Sequence, residues 1–382
     1  MTNAAPKNIL IIAGEPSGDL HGAGVVRELL RSQPDLQIFG IGGDGMAEAG
    51  QEQLYTTHEM AILGFVEVVR HLPFLLKVKR HLMTEIRRRK PACAILIDYP
   101  GFNVRFAKHL KKAGIPIVYY IAPQVWAWGK KRIPTMARLV EHLAVVFPFE
   151  QKIFQDAGLK TTFVGHPLLE GLKPELNRDA FFTKTEFSQE HAVIGLLPGS
   201  RENEVRLLLP TMLQALNRLK ESMPDLQAVV AASPIIPHEL YEELIARENS
   251  TDIRLLKHKT YAVMQHSTAC IVASGTATLE TGCFGTPLII GYRVSRLTYE
   301  IARRLVKLDN IGLINIVAGK TIATELIQND FTPDRVQEEL HLLLTNSEKT
   351  KEMKTELNKI KSMLGAQGAS RKVADIALEL AC

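Results

Sequence analysis

The sequence predicts an α/β protein of two Rossmann-like domains facing one another across a central cleft. Three observations lead there. Short apolar runs, rich in β-branched residues, alternate with amphipathic segments through the first half of the chain. Runs of that length without polar alternation are the signature of strands buried on both faces of a parallel sheet. The alternation stops in a mixed polar stretch, "LEGLKPELNRDAFFTKTEFSQEH", and then restarts. Finally, several runs end in Gly, Ser, Asp or Pro turns leading straight into a helical pattern, the strand–turn–helix step of a βαβ unit.

Taken in order, "NILIIA" supplies a strand over Ile9–Ala13, followed by Gly14, Glu15, Pro16, Ser17, Gly18 and Asp19, and then by the helical "LHGAGVVRELLRS". This turn reads either as a ligand loop or as a plain connection in which Ser17 or Asp19 caps the helix. "LQIFGIGG", "ACAILIDYP", "IPIVYYIAP", "HLAVVFP" and "TTFVGHP" read as further strands, with helices such as "FAKHLKKAG" between them. The first domain spans 1–168, and the polar stretch reads as a linker. A second domain, 190–350, takes its strands from "AVIGLLPGSR", "DLQAVVAAS", "IRLLKH", "ACIVASGT" and "TPLIIGYR". From about Asp334 the pattern is helical with no further strand, and a final helix over 366–382 is expected to pack back on the first domain.

At 382 residues, 46% hydrophobic and 23% charged, the chain has the composition of a globular protein in water. No run of 18 apolar residues offers a membrane span, and no apolar core precedes the first strand as a secretory signal would. Cys93, Cys270, Cys283 and Cys382 form no CxxC pair. That spacing suggests neither a zinc site nor a disulfide framework, and it fits reduced thiols in the cytosol. The net charge of +5 conceals an asymmetry: Arg70 to Val140 holds sixteen Lys or Arg against two acids, so this segment carries +14 and the remainder −9. Such a segment is either a set of solvated helix faces or the footprint of an anionic partner.

Among the motifs, "GIGGDG" at 40–45 matches GxGxxG in form but follows the second strand and lacks a convincing acid some twenty residues on, so a dinucleotide is disfavoured. No GxxxxGK[ST] loop is present, and no Asp-x-Asp pair that would hold a catalytic metal. "PGSRENEV" at 198–205 ends the first strand of the second domain at a helix start. There, backbone amides near Gly199 and Ser200, with the forked cation of Arg201, suit a phosphate; the alternative leaves Ser200 a cap and Arg201 in solvent. "VASGTATLETGCFGTPLII" at 272–290 repeats the geometry at Ser274, Gly275 and Thr276, and sets Glu280 one turn into the helix, placed to accept from ribose hydroxyls. Two anion cradles in one domain point to a nucleoside diphosphate.

With these stretches in view, "AGEPSGDLHGA", "LIDYPGFN", "YYIAPQVWAWGKKR", "LPGSRENEV", "SGTATLE" and "NIVAGK" resemble, nearly end to end, the lipid-A-disaccharide synthases, inverting glycosyltransferases of the GT-B fold. The resemblance implies transfer of 2,3-diacylglucosamine from UDP-diacylglucosamine to the 6-hydroxyl of 2,3-diacylglucosamine 1-phosphate, with no metal and no other cofactor. It implies Asp98 as general base, the second acid of some members being Gly101 here. It also implies that Glu15, Ser17, Arg201, Glu280 and Asn315 serve substrate or activity, and that homodimers intertwine through their C-terminal parts, where Arg201 can reach the partner's site. His21 reads either as a ligand of the acceptor phosphate or as a solvated side chain.

The basic segment then has a reading of its own. Around "ILGFVEVVRHLPFLLKVKRHLMTEIRRRK", Phe65, Phe74 and Leu75 stand beside Lys77, Lys79 and Arg80, as expected for a peripheral protein on the anionic inner face of a cytoplasmic membrane. Each basic side chain near such a surface contributes about 1 kcal/mol. The alternative makes the apolar residues the core face of helices. No aromatic platform or reader motif supports a nucleic-acid partner. Two rival functions remain: another GT-B enzyme of UDP-N-acetylglucosamine (a peptidoglycan transferase, whose "GGTGGH" opening is missing here, or an epimerase), and a non-enzymatic membrane-binding module, which leaves Asp98 and the cradles unexplained.

Overall fold

The computed structural model describes residues 7–60, 65–126, 129–295, 299–300 and 310–381, the side chains of residues 65–72 and of Lys130 excepted. The chain forms two compact units. The first runs to Glu170 and resumes at Leu364; the second is Gly171–Met363.

In the first unit, β1 (Asn8–Ala13), β2 (Gln37–Gly42), β3 (Glu52–Thr56), β4 (Cys93–Ile97), β5 (Ile117–Tyr120), β6 (His142–Val145) and β7 (Thr161–Phe163) form one sheet in the order β3-β2-β1-β4-β5-β6-β7. Every pairing is parallel. The strand order reverses between β1 and β4, where Ile9 pairs with Cys93 and Ala13 with Ile97. At such a switch point the loops diverge and leave a crevice at the carboxyl ends. The apolar runs are buried on both faces, as their sequence requires. Leu10, Ile12, Ala94 and Leu96 meet Val78, Leu82, Phe106 and Leu110 of the helices Phe65–Arg89 and Pro100–Lys112. The other face carries the helix Pro16–Ser32, against which the last helix, Ala369–Ala381, packs. Gly24 allows that approach, since a Cβ there would lie 2.3 Å from Ser370 Oγ.

The second unit repeats the plan with β8 (Val193–Leu197), β9 (Gln227–Ala232), β10 (Ile253–Lys257), β11 (Ala269–Ala273), β12 (Leu288–Tyr292) and β13 (Glu325–Ile327), ordered β10-β9-β8-β11-β12-β13 and parallel throughout. Its switch point lies between β8 and β11, so the Gly199–Arg201 and Ser274–Thr276 turns leave adjacent strands at the same edge.

Three features depart from the sequence reading. The expected linker contains a helix, Arg178–Thr185, capped by Asn177 Oδ1, which accepts from Ala180 N at 2.9 Å; it buries Phe181 and Phe182. The edge strand β3 and the three-residue β13 carry too little apolar pattern to be visible. The GIGGDG turn holds an anion, but that anion is the protein's own: Asp19 accepts from Gly43 N (2.7 Å), Gly45 N (3.0 Å) and Met46 N (2.9 Å). A Cβ at Gly43 would sit 2.6 Å from the Asp19 carboxylate, so the glycine makes room for it.

Candidate functional site

In the first unit the candidates gather at the switch point. Glu15 follows β1 and Asp98 follows β4. Asp98 (φ 43°) and Tyr99 (φ 47°) are consecutive non-glycine residues in the left-handed region, a conformation costing roughly 1–2 kcal/mol per residue. Surrounding contacts hold them there. Asp98 N donates to Tyr120 O at 2.9 Å. The Asp98 carbonyl accepts from Asn103 Nδ2 at 2.8 Å and from Tyr119 Oη at 2.7 Å. Tyr99 is tethered through its hydroxyl to Met60 O at 3.1 Å, and its ring covers Gly14 so closely that a Cβ there would lie 2.2 Å from Cδ1.

Burial pushes the Asp98 carboxyl up to about 6, the negative charge of Glu15 adds to that, and a bond from the Tyr99 amide opposes it. A carboxylate in this range remains ionised at neutral pH yet binds a proton readily, the balance a general base needs. Glu15 and Ser17 are exposed at the head of the helix Pro16–Ser32, and Glu15 occupies its N-cap position without a side-chain cap bond.

Several further residues gather here that the sequence reading passed over. Glu150 is almost fully buried; its carboxyl accepts from Trp126 Nε1 at 3.1 Å and from Phe147 N at 3.3 Å. Burial pushes it up to about 8, with Asp98 contributing, so it is mainly a neutral acid at pH 7. It thereby ties Trp126 to the start of the helix Pro148–Gln155. His166 is buried, and Nδ1 accepts from Leu168 N at 3.2 Å; burial brings its imidazole down to about 3 and that of His21 to about 4, so both rings are neutral. The nearby Glu170 carboxylate opposes the His21 shift and is itself occupied by Ser370 N and Oγ. The neutral imidazole of His21 is poorly suited to neutralise a phosphate.

In the second unit an open cavity of ≈ 390 Å³ is lined by Gly199, Arg201, Ser274, Gly275, Thr276 and Glu280, among others. Its two cradles differ. At the first, Glu204 folds back and accepts from Ser200 N (3.1 Å) and Arg201 N (3.2 Å), the reach of an N3 glutamate in a capping box. Those amides are therefore committed within the protein, and Arg201 Nη1 also bonds Glu204, at 2.9 Å, from an otherwise exposed side chain. At the second, Gly275 has φ 153° and ψ −160°, a conformation open to glycine alone, and among the described residues nothing lies within 4 Å of where its Cβ would be. This bend opens the start of the helix Thr276–Cys283 to the cavity. Glu280 lines the same cavity and accepts from Tyr261 Oη at 3.0 Å; burial raises its pKa and the Tyr261 bond opposes the rise.

Asn315 sits elsewhere. It is fully buried, donates to Ala323 O and Glu325 Oε1, and accepts from Ile322 N and Ala323 N. Its amide is thus used up in folding the 319–325 loop. The link to the cavity is indirect: Glu325 also accepts from Ile311 N (2.8 Å) and Gly312 N (3.0 Å), and Ser274 Oγ donates to Ile311 O at 3.3 Å.

On the basic segment, Arg88 and Arg89 pair with Glu85. Among the described residues no ion pair involves Lys77, Lys79 or Arg80. Lys77, Arg80 and Leu76 are exposed, whereas Phe74 and Leu75 are half-buried against the core, Phe74 meeting the Tyr55 ring edge-on at 5.9 Å. The side chain of Phe65 lies outside the described residues. No helix among the described residues is long and apolar enough to cross a membrane, and no three His, Cys, Asp or Glu side chains are grouped as a metal site.

The family model for lipid-A-disaccharide synthetase matches residues 9–379. A lipid-A-disaccharide synthase of Geobacter sulfurreducens is 41% identical over 380 residues, covering 100% of this chain and 99% of the relative. That of Syntrophus aciditrophicus is 41% identical over 374 residues, with 98% of each covered. Among solved structures, UDP-GlcNAc 2-epimerase from Neisseria meningitidis bound to UDP-GlcNAc aligns with a TM-score of 0.65 at 14% identity, over 97% of this chain and 100% of that one. The calicheamicin glycosyltransferase CalG4 aligns with a TM-score of 0.62 at 15% identity, over 99% and 98%. At such identities the structural likeness carries the GT-B fold.

Proposed function

The chain belongs to the lipid-A-disaccharide synthase family, and we propose that it performs that family's transfer with Asp98 as general base. It is a glycosyltransferase of lipid A biosynthesis that moves 2,3-diacylglucosamine from its UDP donor to 2,3-diacylglucosamine 1-phosphate. The first unit takes the acceptor. Asp98 removes the proton from its 6-hydroxyl as that oxygen attacks the anomeric carbon. The bond from the anomeric carbon to UDP breaks on the opposite face, and the β-1,6 linkage forms with inversion. General base assistance of this kind contributes roughly 10²–10⁴-fold. The supporting observation is a half-buried carboxyl at the β4 switch point, pushed up to about 6 by burial and by Glu15.

The second unit takes UDP. Backbone amides at Gly275 and Thr276 face the diphosphate, Glu280 receives the ribose hydroxyls, and Arg201 adds positive charge as the leaving group departs. Arg201 reaches that role by giving up its bond to Glu204, in its own site or in that of a second copy in a homodimer. Ser17 and Glu15 border the acceptor. Asn315 acts through the loop it folds.

Both substrates carry acyl chains, and the protein meets them on the anionic inner face of the membrane, through Lys77, Lys79, Arg80 and neighbouring apolar residues. The deciding experiment offers the purified protein acylated and unacylated UDP-glucosamine with the acylated acceptor. Consumption of the acylated donor alone supports the reading, and equal use of both overturns its substrate.

A further inference from the structure

We propose that Asn103 and Tyr119 are positioning residues for the transfer, acting together on the backbone carbonyl of Asp98 to keep its carboxyl group in working position. The inference rests on Asp98 being the base. Asp98 is gripped on both sides of its Cα. Its N–H belongs to the sheet, donating to Tyr120 O at 2.9 Å, while its carbonyl has left the ladder and receives two side-chain donors, Tyr119 Oη at 2.7 Å and Asn103 Nδ2 at 2.8 Å. Together these use both lone pairs of that oxygen.

The donors come from different elements. Tyr119 lies on β5, beside β4, and Asn103 lies in the first turns of the helix that follows Asp98. Both are fully buried. The second hydrogen of Asn103 Nδ2 goes to Ile97 O at 3.1 Å, so one amide spans the last strand residue and the left-handed residue after it. Among the described residues, Oδ1 of the same amide is buried without a partner. Packing alone would be served better by an apolar side chain, which carries no such orphan; the amide is accounted for by the two carbonyls it holds. Tyr119 is suited to be a donor, because burial and the neighbouring Asp98 charge keep its hydroxyl protonated.

Left-handed non-glycine residues persist only where surrounding contacts over-determine them. Release of the Asp98 carbonyl would let residues 98 and 99 relax, and with them the direction in which the carboxylate is presented.

The test compares Tyr119→Phe, Asn103→Ser and the double variant, with Asp98→Asn as reference. It measures kcat, KM for the acceptor, UDP affinity, the pH profile and thermal unfolding. Tyr119→Phe removes one hydroxyl and keeps the ring. It should lower kcat about 3–10-fold, the worth of one hydrogen bond, with the double variant lower still. KM and UDP affinity should stay within about twofold. The acidic limb of kcat should move to lower pH as the loosened carboxylate gains water.

A folded Tyr119→Phe with unchanged kcat and an unmoved limb overturns the proposal, as does a loss expressed only in KM. If Asn103→Ser does not fold, Tyr119→Phe decides alone. Retained turnover in Asp98→Asn would remove the base and this proposal together. Lost turnover there, beside a normal Tyr119→Phe and Asn103→Ser, removes the positioning role and leaves the base in place.

Discussion

Tyr261 donates its hydroxyl to Glu280 at 3.0 Å, and so fixes the cavity carboxylate that we propose receives the ribose hydroxyls of UDP. Tyr261 is itself held by Glu175, which accepts from the amides of Tyr261 and Ala262 at the start of the helix Thr260–His266. Glu280→Ala should therefore weaken UDP and uridine alike, by about tenfold. Tyr261→Phe should cost both ligands less, about two- to fivefold, since the carboxylate stays but loses its anchor. Calorimetric titration with and without EDTA measures this. Equal affinities in the two buffers are expected, and a strict requirement for a divalent ion would overturn the metal-free reading.

Asp98→Asn should abolish turnover, by at least about 10²-fold, while leaving UDP affinity intact. In the wild type, kcat/KM should fall as pH drops through about 6, where the carboxylate takes up its proton. Stability should run the other way. A folded-state pKa raised above 3.8 means the folded protein binds this proton more tightly than the unfolded chain, so the site's cost is present above about 6 and is relieved as pH falls toward the unfolded value. Asp98→Asn should thus match or exceed the wild-type Tm at neutral pH, and differ least near pH 4.

Glu150 follows the same sign at higher pH. Its folded value of about 8 against 4.5 implies that stability declines as pH rises toward 8 and levels off beyond it, where the buried acid is ionised in both states. Glu150→Gln keeps a neutral group of the same shape and should flatten that decline, at the expense of the 3.3 Å bond from Phe147 N. Unfolding followed at several pH values between 6 and 9 checks it; parallel curves for the two proteins would refute the assignment.

Gly14→Ala should be damaging out of proportion to one methyl group. The added carbon would meet the Tyr99 ring at 2.2 Å, and that ring is tethered to Met60 O. Overpacking of this sort typically costs about 1–3 kcal/mol. Here the displaced residue adjoins Asp98, so activity should fall more steeply than Tm. Tyr99→Ala in the same background should restore part of the stability by removing the obstacle.

On membranes, the protein should sediment with anionic vesicles and not with neutral ones. Lys77→Glu with Arg80→Glu should reduce that binding, and salt near 1 M, where the Debye length is about 3 Å, should release the electrostatic part. Leu76→Ser, at an exposed position, should increase the share that salt releases without lowering Tm. Phe74→Ser with Leu75→Ser should lower Tm instead, because both side chains pack against the core. Equal binding to neutral vesicles would remove the electrostatic component.

What was legible in the sequence was whatever depends on neighbours along the chain. The run Ile9–Ala13 announces a buried strand because all of its residues must avoid water. The turns at Asp98 and Ser274 announce themselves because each ends such a run. Contacts closed by the fold were not legible. Nothing in "GIGGDG" says that its amides receive Asp19, 24 residues upstream of Gly43. Glu204 lies within sight of Ser200, yet the phosphate reading and the capping reading ask for the same residues, and only geometry separates them. Glu150 looks like an ordinary first-turn glutamate until Trp126 is brought against it. The strand β3, "EQLYT", stayed hidden because an edge strand with half-buried side chains need not be apolar.

The return of the chain to its first unit sets an order of assembly. Lys7 Nζ donates to Ala381 O at 3.0 Å, across 374 residues of sequence, and the helix Ala369–Ala381 covers the helix that begins with the opening turn. On the ribosome, residues of the first unit emerge first, but one of its layers stays incomplete until the helix Ala369–Ala381 has been made. The second unit, continuous from Gly171 to Met363, has all its residues in hand earlier. The half that houses Asp98 therefore becomes whole only after the second unit has been made, and a nascent chain completes it no earlier than residues 364–382 follow Gly171–Met363 out of the ribosome.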